Sequence, residues 1–208
     1  MKRILAFGDS LTWGHNPIDG SRHDAAMLWP NVMARRLQVE VISEGLGGRT
    51  TIYDDFTGPC DRNGSRVLPI LLQSHSPLDI VIIMLGTNDL KSTICGTAEG
   101  AASGIRKLVS IIRRHDYRGI GPIPEIIVAA PPPCVIGPDG LTGGGRSISE
   151  TRRLSKLYNE VASELGTQFF DAGQVAIASP VDGVHLDADN TAAIGVALAD
   201  FISASQRA

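Results

Sequence analysis

The chain has 208 residues, 43% of them hydrophobic and 20% charged, with a formal net charge of -3. That length suits one domain spanning residues 1–208, able to bury about 70% of the surface its unfolded chain exposes. The weak acidic balance provides neither a basic footprint for nucleic acid nor a polybasic membrane patch, and no apolar run reaches the roughly 20 residues of a membrane span.

The apolar stretch after Met1-Lys2-Arg3 is too short for the core of a signal peptide, so the expected location is the cytoplasm. Cys60, Cys95 and Cys134 are odd in number, widely spaced and without a Cys-x-x-Cys pair. They are expected to be ordinary thiols rather than zinc or redox ligands.

In chain order, Ile4 to Phe7 reads as a buried strand, and Leu28 to Leu37 as a short helix entered through Pro30. Val39 to Ile42 is a second strand. Arg66 to Gln73 is helical, with Pro69 limiting how far upstream it can start. Ile80 to Leu85 is continuously apolar and β-branched, as in a parallel strand covered on both faces. Thr97 to His115 carries Ile105, Leu108, Val109 and Ile112 at helical spacing. Ile126 to Ala129 is a fourth strand, stopped by Pro131-Pro132-Pro133. Ser147 and Glu150 form a candidate capping box for a helix running to Gly166. Phe169-Phe170 lies in a fifth strand, and Ala188 to Ser205 is the closing helix. This alternation predicts an α/β fold: a flavodoxin-like α/β/α sandwich around a parallel sheet of about five strands. Two long polar segments, 15–26 and 131–146, follow the first and fourth strands. Both are therefore expected at the ligand-binding edge, as pocket walls or subunit contacts.

Four short blocks fall on that same edge: Gly8-Asp9-Ser10 after strand one, Gly45 to Thr50 after strand two, Gly86 to Asp89 after strand three, and Asp182-Gly183-Val184-His185 before the last helix. They contain the parts of a nucleophilic hydrolase. Ser10 can attack a carbonyl, His185 can carry its proton, and Asp182 can fix the imidazole. The N–H groups of Ser10 and Gly48 and the Asn88 amide are candidate oxyanion donors. Each residue also has a plainer reading. Ser10 can cap a helix, Gly48 can serve a turn, and Asn88 can bond its own loop. Asp9 and Asp89 are assigned to turn geometry, Arg49 to a structural ion pair, and His23 to solvent. Trp13 and His15 are candidates for the pocket mouth. His185, Asp187 and Asp189 alternate as metal ligands can, but an acidic cap of the final helix is preferred and no metal is expected. No Gly-x-Ser-x-Gly surrounds Ser10, which argues against a nucleophile elbow.

On these four blocks the chain resembles the GDSL or SGNH hydrolases, whose namesake Ser, Gly, Asn and His match Ser10, Gly48, Asn88 and His185. The segments Gly8 to Gly14, Glu44 to Leu46 and Arg49 to Thr51 look like the family's bacterial arylesterase and acyltransferase branch. The resemblance implies a cofactor-free esterase acting on a small-molecule ester, with acyl transfer or perhydrolysis competing with hydrolysis. It also implies a homo-oligomer, with an octamer among its forms. Some members of that branch carry Ala where this chain has Gly48, so the balance between transfer and hydrolysis need not carry over. The low aromatic content of 5% favours short acyl chains over lipids. Carbohydrate acetyl-ester hydrolysis and thioester hydrolysis use the same parts. A flavodoxin-like binding domain with a degenerate site is the non-enzymatic alternative.

Overall fold

The computed structural model describes residues 2–205. Five strands, β1 (Arg3–Gly8), β2 (Glu40–Gly45), β3 (Ile80–Met84), β4 (Glu125–Ala130) and β5 (Gln168–Asp171), pair in the order β2-β1-β3-β4-β5. Every pairing is parallel. The helices are α1 (Ser10–Trp13), α2 (Trp29–Leu37), α3 (Gly64–His75), α4 (Ala98–Arg114), α5 (Ile148–Leu165) and α6 (Ala188–Ser205).

The continuous apolar runs of β1 and β3 are explained by cover on both faces. Leu5, Phe7, Val81 and Ile83 face one core, filled by Leu68 and Leu72 of α3, Ile105 of α4 and Tyr158 of α5. Ile4, Ala6, Ile80 and Ile82 face the other, filled by Trp29 and Met33 of α2 with Ile194 and Leu198 of α6. No solvent face remains, so the period-two alternation of a half-exposed strand is absent. β1 lies between β2 and β3, so the chain winds first to one side of β1 and then to the other. In such a sheet the crevice for a ligand opens at the carboxyl ends of the strands flanking the reversal, here β1 and β3.

Some local expectations change. Pro69 does not hold back α3, which starts at Gly64 because Asn63 caps it by accepting from the Ser65 N–H. The Ser147–Glu150 capping box does not form: Ser147 makes no side-chain cap bond. Glu150 instead accepts from the Ala98 N–H at 2.8 Å and so closes the start of α4. β2 runs on to Gly45, past the apolar residues that announced it, because its backbone stays paired with β1 as far as Gly8. Asp187 caps α6, accepting from the Asn190 N–H at 2.8 Å.

Gly45 fixes how closely α1 approaches the sheet. A Cβ at this position would lie 2.2 Å from the Trp13 backbone nitrogen, inside any real contact distance. Gly45→Ala should therefore push α1 away, lowering stability by about 1–3 kcal/mol through overpacking. Chemical denaturation measures this, and an unchanged midpoint would contradict the packing described.

Candidate active site

Ser10 is set at the carboxyl end of β1 by a local device. The Asp9 side chain accepts from the Leu11 N–H at 2.9 Å, and the N–H of Trp13 donates to the Asp9 carbonyl at 2.9 Å. The strand thus turns at once into α1. Asp9 is 1% exposed, and burial pushes its carboxyl up to about 7. Burial likewise raises Asp89 to about 6, against the hydrogen bonds that Thr51 donates to it. Asp9 serves its own turn, as the sequence reading expected, whereas the Asp89 carboxylate accepts from Thr51, far away in the chain.

The segment before α6 brings the other groups in. One oxygen of Asp182 accepts from the N–H groups of Val184 and His185, each at 2.9 Å. Its other oxygen lies 2.6 Å from His185 Nδ1. A carboxylate can only accept, so Nδ1 carries the proton and Nε2 is left as an acceptor. Nε2 lies 2.9 Å from Ser10 Oγ. Burial opposes ionisation of Asp182, yet the hydrogen bonds from His185 and Val184 hold its carboxyl below the usual range. Burial lowers the His185 pKa, and the charges of His15 and Arg146 act in the same direction against the pull of Asp182. The turn needs Gly183, whose φ is 76° and whose Cβ position lies 2.4 Å from the Val135 carbonyl. Segment 131–146 is thereby laced to this turn, with the Val135 N–H donating to the Gly183 carbonyl at 2.9 Å.

Asn88, beyond the end of β3, donates through Nδ2 to the Arg49 carbonyl at 3.1 Å and makes a longer contact, 3.4 Å, to Asp9. Its Oδ1 accepts from Arg146 Nη2 at 3.0 Å. A guanidinium has no acceptor, so this bond fixes which end of the amide faces which way. Arg146 is itself held by donating Nε to the Thr87 carbonyl at 2.6 Å and Nη1 to the Gly143 carbonyl. Gly48 has φ 81°. Neither its N–H nor that of Ser10 finds an acceptor among the described residues. Ser10, Gly48, Asn88 and His185 all border one open cavity of about 410 Å³, whose wall also includes Lys91 and Arg146.

His15 lines this cavity, its ring centred 3.9 Å from that of His185. Trp13 is not in the wall. It stands behind His15, with ring centres 6.3 Å apart, under the Arg22 guanidinium. His23 is only partly solvated: its Nε2 lies 2.9 Å from the Leu186 carbonyl, tying segment 15–26 to the loop that carries His185. Arg49 makes no ion pair among the described residues. It donates to the Gly8 carbonyl at 2.9 Å and lies over the Phe7 ring. His15, Asp182 and His185 place potential metal-ligand atoms within 4.8 Å of one another, but both ring nitrogens of His185 already face Asp182 and Ser10. Arg146, Arg62 and Lys91 were not anticipated, since single cations in polar loops carry no periodic or motif signal.

Comparison with known proteins gives the family. Residues 6–193 match the model of the GDSL-like lipase/acylhydrolase family. No curated protein matches significantly. Among solved structures, a provisionally named arylesterase from Agrobacterium tumefaciens is 54% identical, with a TM-score of 0.96 over 98% of this chain and 99% of that one. A carbohydrate acetylesterase family member from Sinorhizobium meliloti is 45% identical, TM-score 0.92, over 98% of both chains. The M. smegmatis aryl esterase is 41% identical, TM-score 0.90, over 98% of this chain and 99% of that one. With a family model covering most of its length and relatives well above 30% identity over nearly all of it, the chain belongs to the GDSL-like lipase/acylhydrolase family and is a carboxylic ester hydrolase.

Proposed function

We propose that the chain is a serine esterase for short acyl esters, working through an acyl-enzyme on Ser10. The observation that carries this reading is the continuous relay from Ser10 Oγ to His185 Nε2 at 2.9 Å and from His185 Nδ1 to Asp182 at 2.6 Å. Ser10 Oγ bonds to the ester carbonyl carbon as its proton passes to His185 Nε2. Asp182 stabilises the imidazolium without taking the proton. The oxyanion accepts from the N–H groups of Ser10 and Gly48 and from the Asn88 Nδ2 hydrogen that otherwise makes only the long 3.4 Å contact to Asp9. Each such donor contributes about 2.7–4 kcal/mol to the transition state. His185 then gives its proton to the leaving alcohol, and a water deprotonated by His185 releases the acid. A second alcohol or hydrogen peroxide can take the place of that water, which would give acyl transfer or perhydrolysis.

Short acyl groups are favoured because the cavity wall is built from glycines and charged side chains, with Val184 its one aliphatic residue. An acetyl ester of a carbohydrate is the second reading, supported by the 45% identity to the S. meliloti acetylesterase family member. Turnover of acetylated sugars well above that of aryl acetates would select it. The free thiols of Cys60, Cys95 and Cys134 are consistent with the cytoplasm as the site of action. No helix among the described residues is long and apolar enough to cross a membrane.

Ser10→Ala and His185→Ala should each lower p-nitrophenyl acetate turnover by about 10³-fold or more with folding intact. Comparable rates in all three proteins would refute the serine mechanism. His185 must be neutral to accept a proton, and its pKa is lowered from 6.5 by burial, so the acid limb of kcat/KM should have its midpoint below 6.5. A midpoint at or above that value would count against His185 as the base. Phe56 (87% exposed) and Ile70 (66%) lie bare on the surface, in keeping with the proposed homo-oligomer. Light scattering should return a multiple of 22.1 kDa, and a monomer mass at micromolar concentration would reject the assembly.

A further inference from the structure

We infer that Lys91 and Arg62 form an anion subsite in the cavity wall, which selects esters carrying a carboxylate close to the scissile bond. This rests on the esterase reading of the same cavity and names the class of substrate it takes. Lys91 Nζ and Arg62 Nη1 lie 3.0 and 3.1 Å from one oxygen, Asp55 Oδ2. Two cations therefore share a single carboxylate. Asp55 has little left to offer, because its other oxygen accepts from the N–H and Oγ1 of Thr57 at 3.0 and 2.5 Å.

Both cations keep unused donors. Lys91 has three N–H groups, of which Asp55 takes one. The Nε of Arg62 is buried and has no acceptor among the described residues. It lies against Gly48, where a Cβ would come within 2.6 Å of it. The third cation of the wall, Arg146, is committed to two carbonyls and the Asn88 amide, with no carboxylate partner among the described residues. Asp182 is the one acid in the wall, and it is bound to His185. Lys91, Arg62 and Arg146 thus face the cavity with Asp182 as the acid beside them and Asp55 behind them. Asp9 and Asp89, which also act on Arg146 and Lys91, are buried with carboxyls pushed up to about 7 and about 6. A substrate carboxylate there gains charge-assisted hydrogen bonds in a partly desolvated setting.

The test compares kcat/KM for matched pairs of esters, anionic against neutral. On the alcohol side the pair is para-acetoxybenzoate and its methyl ester. On the acyl side it is mono-p-nitrophenyl glutarate and p-nitrophenyl butyrate. Wild type should favour the anion in at least one pair by about 10-fold, and that ratio should collapse in Lys91→Met and in Arg62→Met. High salt should weaken it in the wild type. The pair that responds tells whether the carboxylate sits on the acyl or the alcohol side. No preference in either pair, or a preference untouched in both variants, overturns the subsite and leaves Lys91 and Arg62 as anchors of the Asp55 loop. Calorimetric binding of para-acetoxybenzoate and monomethyl glutarate to Ser10→Ala separates the two ideas. Binding that is lost on adding Lys91→Met, in a protein whose wild type hydrolyses nothing, would keep the subsite and reject the esterase mechanism. Absence of binding by either compound would reject the subsite.

Discussion

Between β1 and β3 the direction of winding reverses, and the crevice left at their carboxyl ends governs where every group of the site can stand. Ser10 follows β1 directly, and Asn88 comes shortly after β3. The adjacent pairing of these strands brings the two close without any long-range search by flexible loops. Gly45, at the end of β2, lets α1 lie against the sheet, so the serine is held by backbone contact as well as by the Asp9 cap. The last loop then has only to deliver Asp182 and His185 across the crevice. Its turn is fixed by Gly183 and by the bond from Val135.

The electrostatics divide the carboxylates into two kinds. Asp9 and Asp89 are fully buried, so desolvation outweighs the hydrogen bonds they accept and their pKa values rise to about 7 and about 6. Asp182 is partly exposed and accepts three N–H bonds, so it stays ionised where a histidine needs an orienting anion. Depth of burial decides between them, since Asp89 accepts as many hydrogen bonds as Asp182 yet is closed off from solvent. Burial above all, with the Arg146 charge, lowers the His185 pKa and so favours the neutral state in which Nε2 can accept a proton. The same positive surroundings favour the negative charge that develops on an ester carbonyl oxygen under attack.

Much of this was legible in the sequence because the signals are local. A continuous apolar run marked Ile80 to Leu85 as a doubly covered strand, found as Ile80–Met84, and Gly166 marked the end of the helix that stops at Leu165. Other local signals misled where a tertiary partner competed for the same atom. Glu150 had the spacing of a capping box, but the Ala98 N–H of a neighbouring helix took its carboxylate. Pro69 was expected to delay α3, yet the Asn63 cap started the helix earlier. His23 looked solvated because nothing nearby in sequence could bind it; its partner is the Leu186 carbonyl, far along the chain. Arg49 found an aromatic face and carbonyls in place of the expected carboxylate.

The sequence by itself determined the pieces whose geometry is set within a few residues: the strand-to-serine turn, the Asp182–His185 pair three positions apart, the glycine at position 48, and the order of strands and helices. Side-chain reach and backbone conformation decide these, and both are read over one turn of chain. Only the tertiary structure decided that Arg146 orients the Asn88 amide, that His15 lies on the His185 ring, and that Lys91 and Arg62 share Asp55. Those contacts depend on which donors remain unpaired after the layers close. That depends in turn on burial and competition among groups from separate loops, which no local spacing encodes.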